Sequence, residues 1–256
     1  MKSSLVSREV IADSIELTMR GHCYDALVGI AGCDKSLPGM MMAMIRLNVP
    51  SVFMYGGSIL PGSHRGKDVT VLDVFEAVGQ HSAGNMDDEE LHELECVACP
   101  SAGACGGQFT ANTMACVSEA IGLALPLSSG APAPYESRDQ YAEKSGESVM
   151  DLIARNIRPR DIVTRKSLEN AATVVAATGG STNGGLHLPA MAHEAGIDFD
   201  LPLRQAREQF EKTYIEHQLQ ITAGNVSQVA KLAGIERTHL YRKMKALGIN
   251  PKEGSQ

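Results

Sequence analysis

Two short apolar segments separated by a helical stretch dominate the first 55 residues. Residues 25–32 form an apolar run that ends in small side chains, which predicts a buried parallel strand. The methionine-rich stretch 40–47 predicts a helix, and residues 48–55 predict a second strand. Strand, helix and strand make a βαβ unit, and open α/β sheets bind ligands at the carboxyl ends of their strands. The pattern therefore places residues 33–35 and 56–58 where a binding site is expected.

Helical periodicity dominates the rest of the chain. Residues 108–125 predict a helix whose candidate apolar positions are Phe109, Met114, Val117, Ile121 and Leu125. Near the end, an amphipathic helix is predicted over Pro202–Ile221, followed by helices over Val226–Ala233 and Arg237–Leu247. Asn225 is the predicted N-cap of the second of these three helices. The predicted architecture is an α/β domain, with helices flanking a parallel sheet, followed by a small all-α domain.

The last two helices have the spacing of a helix-turn-helix. Ala230, Gly234 and Leu240 supply a small residue at the helix contact, a glycine for the turn and an apolar anchor. The final helix carries basic and hydrogen-bonding side chains suited to phosphates and base edges: Arg237, Thr238, His239, Tyr241, Arg242, Lys243 and Lys245. DNA binding is the favoured interpretation, and a helical hairpin with a solvated basic face is the alternative.

Net charge divides the chain at the same place. Residues 1–200 carry a net charge of −11 and residues 201–256 a net charge of +4. An acidic body with a basic tail predicts two parts with different partners, the tail's being a polyanion. The predicted domains are therefore 1–200 and 201–256.

Composition sets the compartment and the kind of core. Aromatic residues make up 4% of the chain and Trp is absent, so methionine and small side chains are predicted to fill much of the core. Residues 1–9 have no apolar signal-peptide region, and no apolar run reaches the roughly 18–20 residues that span a bilayer. We therefore expect a cytoplasmic chain without a membrane partner. In a reducing compartment its six cysteines are predicted to be ligands or core residues rather than disulfides.

Two cysteine-containing segments are candidates for metal chemistry. Cys33, Asp34 and Lys35 place a thiolate suited to iron or zinc beside a carboxylate suited to magnesium. A buried cysteine beside a surface ion pair is the alternative for that triplet. Residues 96–107 contain cysteines at a C-x2-C-x5-C spacing, with glycines that allow close approach to an inorganic cluster. Cys23 and Cys116 are predicted to be core residues.

A glycine-rich segment at residues 177–185 is the third candidate. Backbone N–H groups and hydroxyls in such a loop bind carboxylates or phosphates, and Gly180, Ser181 and Thr182 are the candidate substrate-loop residues. The segment lacks the spacing of a P-loop. A turn that only reverses the chain is the alternative.

Several of these motifs together resemble one enzyme family. They are Gly21-His22-Cys23, Cys33-Asp34-Lys35 with Pro38-Gly39, Cys99 to Gly107, Phe109 to Met114 and Gly179 to Asn183. In this order they resemble the dihydroxy-acid and phosphogluconate dehydratases over roughly residues 1–200. The resemblance implies an iron–sulfur cluster that acts on the leaving hydroxyl and a Mg²⁺ ion that holds the substrate. It implies dehydration of a 2,3-dihydroxy acid to a 2-keto acid, a hydro-lyase reaction of branched-chain amino-acid biosynthesis.

The resemblance also implies roles for single residues. Cys33 and Cys105 match two of the family's three cluster cysteines, and Asp34 matches a magnesium ligand. Lys35 matches a lysine that is carbamylated, which turns a cation into an oxygen ligand for a hard metal. Cys99 matches no cluster ligand. The family carries its remaining cysteine and a further aspartate before the equivalent of residue 1, and its metal glutamate and serine base in a C-terminal domain, so the catalytic base is unassigned here. Because one complete site is needed for turnover, residues 1–200 are expected to be an incomplete N-terminal domain without activity of its own.

The tail resembles a second family. Residues 201–249 are similar to the Fis-type C-terminal domain of NtrC-like response regulators, through residues 224–227, Ala230, Gly234 to Arg237, residues 240–245 and Gly248-Ile249. The resemblance implies a dimer in which Arg237, Thr238, His239 and Tyr241 read bases. Arg242, Lys243 and Lys245 would contact phosphates. The chain is thus interpreted as a chimera of two unrelated parts: a dehydratase-like core and, as the alternative source of function, a homodimeric DNA-binding regulator module.

Overall fold

The structure is a computed structural model that describes residues 2–197, 211, 212, 214–216, 218–222 and 224–249. The chain forms two compact units, Met1–Asp198 and Phe199–Gln256. No helix in the described part of the chain is both long enough and apolar enough to cross a membrane.

The first unit is mostly helical and contains a small parallel sheet. Its helices are α1 (Lys2–Gly21), α2 (Ser36–Leu47), α3 (Val71–Ser82), α4 (Asp88–Val97), α5 (Thr110–Ile121), α6 (Ser137–Arg155), α7 (Pro159–Ile162), α8 (Arg165–Ala177) and α9 (Gly184–Glu194), with a 3-10 turn at Ser128–Gly130. Its strands are β1 (Leu27–Ala31), β2 (Ser51–Tyr55), β3 (Gly62–His64) and β4 (Lys67–Val69). This composition, mostly helical with a small parallel sheet, confirms the α/β class of the unit at that coarse level.

The predicted strand, helix and strand near the N-terminus are present as β1, α2 and β2. The two strands pair in parallel, from Leu27 opposite Ser51 to Ala31 opposite Tyr55. All five residues of β2 are buried, as expected for a parallel strand inside an α/β unit. The prediction of a fully buried first strand is wrong, because Val28 and Ile30 are 38% and 62% exposed. α2 covers only one face of β1, and it packs so closely there that a Cβ on Gly29 would lie 2.4 Å from Met44 Cε.

Methionines fill the core of the first unit, as the shortage of aromatic residues predicted. Met41, Met44, Met114 and Met191 are each 0% exposed, and they belong to one buried cluster. Flexible thioether side chains fill the irregular space between α2, α5 and α9. The predicted helix over 108–125 is present as α5, a shorter helix, in which Met114, Val117 and Ile121 are buried as predicted. Phe109 and Leu125 lie outside it, and Phe109 is 36% exposed.

Arg46, on the last turn of α2, links three helices. Its guanidinium donates to both carboxylate oxygens of Glu194 on α9, at 3.0 and 2.7 Å. It also donates to Asp13 at 2.7 Å and to Glu16 at 3.2 Å, both on α1. These charged hydrogen bonds raise the pKa of Arg46 despite its partial burial, with Glu194 the largest contributor. They attach α1 and α9 to α2, the helix whose N-cap is Lys35.

The second unit contains the predicted helical pair. α10 spans Val226–Leu232 and α11 spans Arg237–Ala246, each ending one residue earlier than predicted. Asn225 caps α10, because its side chain accepts a hydrogen bond from Gln228 N at 3.2 Å. Of the helix predicted over 202–221, residues 202–210 lie outside the described residues, and the described positions from 211 to 221 are helical.

A small apolar core holds α10 and α11 together. Gly234 has a φ of +64° between the two helices, which is the left-handed turn expected of a glycine there. Ala230 is 5% exposed and Leu240 is 0% exposed, as the helix-turn-helix spacing predicted. Ile215 and Leu219 from the preceding helical segment pack into the same core.

Candidate active site and candidate nucleic-acid interface

Cys33, Asp34 and Lys35 lie in the turn between the end of β1 and the start of α2. The Lys35 ammonium Nζ lies 2.8 Å from Asp34 Oδ2, and the Cys33 thiol lies 3.8 Å from Asp34 Oδ1. The Lys35 side chain is 4% exposed, whereas that of Asp34 is 43% exposed. A hydrogen bond from Cys33 N to Ser36 Oγ at 2.9 Å closes the turn. The triplet therefore combines an open thiol and carboxylate with a buried amine.

The loop that contains Cys105 lies beside this turn. Ala104 N donates to Gly57 O at 2.9 Å, and Ile59 N donates to Cys105 O at 3.0 Å, so the loop pairs with the segment that follows β2. A Cβ built on Gly32 would lie 3.4 Å from Ala104 Cβ. Because Gly32 and Ala104 directly precede Cys33 and Cys105, the structure brings the two predicted cluster cysteines to the same end of the sheet. Cys105 is 8% exposed, and its Sγ lies 3.2 Å from Gly107 O.

Cys23 and Cys116 differ from the prediction that both are core residues. Cys23 is exposed rather than part of the core, because it lies in the turn after α1 at a φ of +54°. Cys116 on α5 is only partly buried. Cys96 and Cys99 are both exposed near the end of α4, where Cys96 Sγ lies 3.7 Å from His92 Nε2. Among the described residues no group of three or more His, Cys, Asp or Glu is placed to hold a metal ion, so the C-x2-C-x5-C spacing does not form such a site there.

The predicted substrate loop is docked on the first turn of α5. Ser181 N donates to Thr113 Oγ1 at 2.9 Å, and the hydroxyls of Ser181 and Thr110 lie 2.9 Å apart. Gly180 is required for this contact, since a Cβ there would lie 2.9 Å from Thr113 Cγ2. Thr182 is exposed. Of the three candidates, Thr182 is thus the one whose side chain faces solvent, while Gly180 and Ser181 attach the loop.

His187 is a residue of this region that the sequence analysis missed. It lies on α9, is 0% exposed, and has its Nδ1 3.1 Å from Arg8 Nη1. Its Nε2 is buried and has no hydrogen-bond partner in the structure. Burial lowers the pKa of His187 to about 4, the charges of Arg8 and Lys35 lower it as well, and the nearby carboxylate of Asp34 acts in the opposite direction. A histidine flanked by two leucines reads as a core residue, so the sequence offered no signal for it.

Tyr55 and Asn112 were also missed, although each lies at the end or start of a predicted element. Tyr55 is the last residue of β2 and is 0% exposed. Burial raises the pKa of its phenol, and the thiols of Cys105, Cys116 and Cys33 raise it further, while Arg138 lowers it. The phenol donates to Asn112 Oδ1 at 2.5 Å. The two residues connect the sheet to the cysteine loop.

These donor types fit part of a metal-binding set. Thiolates suit iron, and a carboxylate suits Mg²⁺, and Cys33, Cys105 and Asp34 provide both kinds at one end of the sheet. Lys35 fits only if it is modified, because an ammonium group has no lone pair for a cation. Its Nζ lies 2.8 Å from Asp34 Oδ2, beside the carboxylate that would be the neighbouring ligand. The described residues thus fit one side of a coordination sphere.

In the second unit, the predicted DNA-contacting residues lie along α11. Six of them are exposed: Arg237, Thr238, His239, Tyr241, Arg242 and Lys245. The Arg237 guanidinium lies 5.6 Å from the centre of the Tyr241 ring, a cation–π contact within one helix face. Lys243 differs, because its Nζ pairs with Glu211 Oε1 at 2.6 Å and its side chain is 24% exposed. Part of its charge is therefore already compensated within the unit.

The fold and site of the first unit define an α/β protein that gathers thiols, a carboxylate and a buried lysine at the ends of two parallel strands. Comparison with known sequences assigns it more closely. The chain belongs to the dihydroxy-acid/6-phosphogluconate dehydratase N-terminal family, which residues 1–219 match. Residues 206–247 also match the Fis family of bacterial regulatory proteins, so the two matched ranges overlap.

The names of similar curated proteins agree with the assignment to the dehydratase family. A dihydroxy-acid dehydratase of Parvibaculum lavamentivorans is 77% identical over 243 residues, which cover 91% of this chain and 42% of the relative. Those of Pelagibacter ubique and Dinoroseobacter shibae are 80% and 81% identical over 201 residues, covering 78% of this chain and 35% of each relative. The chain thus spans between about a third and two fifths of the length of these relatives.

Proposed function

We propose that residues 1–200 act as the N-terminal part of a hydro-lyase that converts a 2,3-dihydroxy acid into a 2-keto acid, as in branched-chain amino-acid biosynthesis. The observation that carries the proposal is the meeting of Cys33, Asp34, Lys35 and Cys105 at one end of the β1–β2 sheet. Relatives that are 77–81% identical carry the name dihydroxy-acid dehydratase, which supports the same reaction. Because the thiols must stay reduced, a reducing compartment such as the cytoplasm fits this chemistry.

The proposed ligands are Cys33 and Cys105 for an iron–sulfur cluster, and Asp34 with a carbamylated Lys35 for Mg²⁺. When bound, such a cluster supplies a Lewis acid for the leaving hydroxyl, and Mg²⁺ neutralises the substrate carboxylate. Carbamylation joins the Lys35 nitrogen to the carbon of CO2. Starting from the ammonium it releases two protons, one to give the neutral amine and one as the carbamate forms, and it replaces a cation by an anion beside Asp34. The 2.8 Å ion pair between Lys35 and Asp34 is then replaced by two anionic groups, the carbamate and the Asp34 carboxylate. Their oxygen atoms need a cation between them.

The chain's other residues in this region orient and shield. Thr110 and Thr113 hold the loop that contains Gly180, Ser181 and Thr182, so the exposed Thr182 hydroxyl and the loop backbone are available to a polar substrate. α9 closes the buried side of the site and carries His187. The charge of Lys35 contributes to the lowered pKa of His187. Substrate is therefore expected to enter from the exposed side of Cys33 and Asp34.

Anaerobic reconstitution with iron, sulfide and Mg²⁺ tests the ligand assignment. We expect visible absorbance and bound iron in the unmodified chain, and loss of both in Cys33→Ser and in Cys105→Ser. Cys99→Ser is the matched control, because Cys99 is an exposed cysteine of the same segment and should leave the absorbance unchanged. Equal iron binding in all three variants would reject the assignment of Cys33 and Cys105. Dehydration of 2,3-dihydroxy acids is assayed on the same reconstituted samples.

We also propose a second function, sequence-specific DNA binding by residues 201–256 as a homodimer. The match of residues 206–247 to the Fis family and the exposed basic face of α11 favour it. Arg237, Thr238, His239 and Tyr241 are the proposed base contacts. Arg242, Lys243 and Lys245 are the proposed phosphate contacts, with Lys243 the weakest because of its ion pair with Glu211.

Fluorescence anisotropy with duplex DNA over a series of salt concentrations tests this function. Arg242→Ala should weaken DNA binding and reduce the slope of log K against log salt by about one counterion. Lys243→Ala should have a smaller effect on both quantities. Arg165→Ala, at an exposed arginine of the first unit, is the matched control. Analytical ultracentrifugation measures whether the chain forms a homodimer. Affinity for DNA that is the same in Arg242→Ala as in Arg165→Ala would reject this face as the interface.

A further inference from the structure

The segment Phe109–Met114 is one of the motifs that resemble the dehydratase family, and no role has been assigned to it. It forms the first turn of α5, and its polar side chains point to two different loops. Thr110 and Thr113 contact residues 180–183, as described above. Asn112 points the other way, toward the loop that contains Cys105. One helical turn thus holds both candidate binding loops.

Asn112 uses both ends of its amide. Its Oδ1 accepts the hydrogen bond from Tyr55 OH at 2.5 Å. Its Nδ2 donates to Gly107 O at 2.6 Å and lies 3.4 Å from Cys105 O. Because Tyr55 is buried and the pKa of its phenol is raised, the hydroxyl remains a hydrogen-bond donor near neutral pH. Gly107 O and Cys105 O can only accept hydrogen bonds, so they fix Nδ2 toward the cysteine loop and leave Oδ1 to accept from Tyr55.

The two carbonyls that Asn112 contacts flank the Cys105 side chain. Cys105 O is also held by Ile59 N at 3.0 Å, which attaches the loop to the segment after β2. Gly107 O lies 3.2 Å from the thiol, which can donate its S–H to it. Asn112 Nδ2 also donates to Gly107 O, at 2.6 Å, so this carbonyl is held by the helix as well as by the thiol.

We propose that Asn112, oriented by Tyr55, is a positioning residue that fixes the Cys105 loop so that its thiolate is presented to a metal or cluster. The proposal rests on the proposed function for the role of Cys105 as a ligand. It adds a chain of hydrogen bonds that runs from the last residue of β2 through Asn112 to the loop. Neither Tyr55 nor Asn112 contacts the substrate in this assignment.

Thiol reactivity in the metal-free protein tests the proposal without any need for a cluster. Alkylation of each cysteine is followed by peptide mass spectrometry in Asn112→Ala and in Tyr55→Phe, which keeps the buried ring and removes only the hydroxyl. We expect alkylation of Cys105 to become roughly tenfold faster, because loss of one or two hydrogen bonds lets the loop open more often. Alkylation of the exposed Cys99 should not change. Asn170→Ala, at an exposed asparagine of α8, is the matched control.

Two results would overturn the proposal. One is an unchanged Cys105 rate in both variants, since the hydrogen bonds would then not restrain the loop. The other is equal acceleration at Cys105 and Cys116, since the variants would then loosen the whole unit rather than the loop.

Reconstitution of the same variants gives a second measurement. Tyr55→Phe should bind iron but show an altered visible circular dichroism spectrum and faster loss of iron to a chelator, because its Cys105 geometry is less restrained. If the unmodified chain binds no iron while the alkylation result holds, the proposed cluster role fails and the positioning role of Asn112 stands. If iron binds and neither the spectrum nor the alkylation rate changes, the positioning role fails alone.

Discussion

Acidification should destabilise the first unit through the single buried histidine on α9. His187 has an ordinary pKa of 6.5 and a pKa of about 4 in the folded chain, so folding favours its neutral form. The stability that this difference contributes is complete above about pH 6.5 and is lost as pH falls toward about pH 4, because only the unfolded chain then takes up the proton. The charged groups that act on it are Arg8 and Lys35, which oppose protonation, and Asp34, which favours it.

The magnitude follows from the two pKa values. Near pH 5 the unfolded residue is almost fully protonated and the folded residue is still mostly neutral, which costs the folded state about 2 kcal/mol relative to pH 7.5. His187→Asn removes the titration and keeps an acceptor for Arg8. We expect that variant to be less stable at neutral pH, since it leaves space in the core, but to lose about 2 kcal/mol less than the unmodified chain on acidification.

Methionine oxidation in increasing urea measures the effect for each unit separately, with peptide mass spectrometry as the readout. Met191 is fully buried on the same helix as His187 and reports the first unit, whereas Met244 is 2% exposed and reports the second. His193→Asn, at an exposed histidine of α9, is the matched control. The reasoning fails if His187→Asn and His193→Asn lose the same stability at Met191 between neutral pH and about pH 5.

Two further predictions use the same assay. Arg46→Lys should destabilise the first unit by about 1–2 kcal/mol, because one compact ammonium group cannot replace the guanidinium that bonds Glu194, Asp13 and Glu16 together. Unchanged urea midpoints at Met191 would contradict this. Leu240→Ala should destabilise the second unit by about 2–5 kcal/mol, because a fully buried side chain is lost. The urea midpoint of Met244 oxidation reports this loss. An equal shift of the midpoint at Met191 would show that the effect is not confined to the second unit.

The sequence predicted the elements and the local motifs of this site because their determinants are short-range. An apolar run followed by Cys33-Asp34-Lys35 places the triplet after a strand whatever the rest of the chain does. The spacing of Ala230, Gly234 and Leu240 likewise contains the turn between α10 and α11. Expectations that depended on burial were less secure. Cys23 is exposed and β1 is buried on one face only, because burial depends on which distant element covers a segment.

The pairings that hold the site together could not be predicted in the same way. Arg8 and His187 are separated by 179 residues, Thr110 and Ser181 by 71, and Tyr55 and Asn112 by 57. No periodicity in the chain links such positions, and each partner alone reads as an ordinary surface or core residue. The methionine core was predictable only as a composition, since flexible thioethers accept many packing arrangements.

Exposure divides the candidate site into a restrained half and an open half. Lys35, Cys105 and His187 are buried and held by partners on α1, α5 or the ends of the strands, whereas Cys33 is exposed and Asp34 is 43% exposed. A ligand that joins Cys33 to Cys105 must therefore bind from the exposed side and make its second contact with a thiol that is already in place. Restraint at Cys105 lowers the entropy lost when that contact forms, which is the general advantage of a preorganised ligand. For this reason the hydrogen bonds of Asn112, which hold the Cys105 loop, are expected to affect retention of a bound cluster more than its first encounter with Cys33.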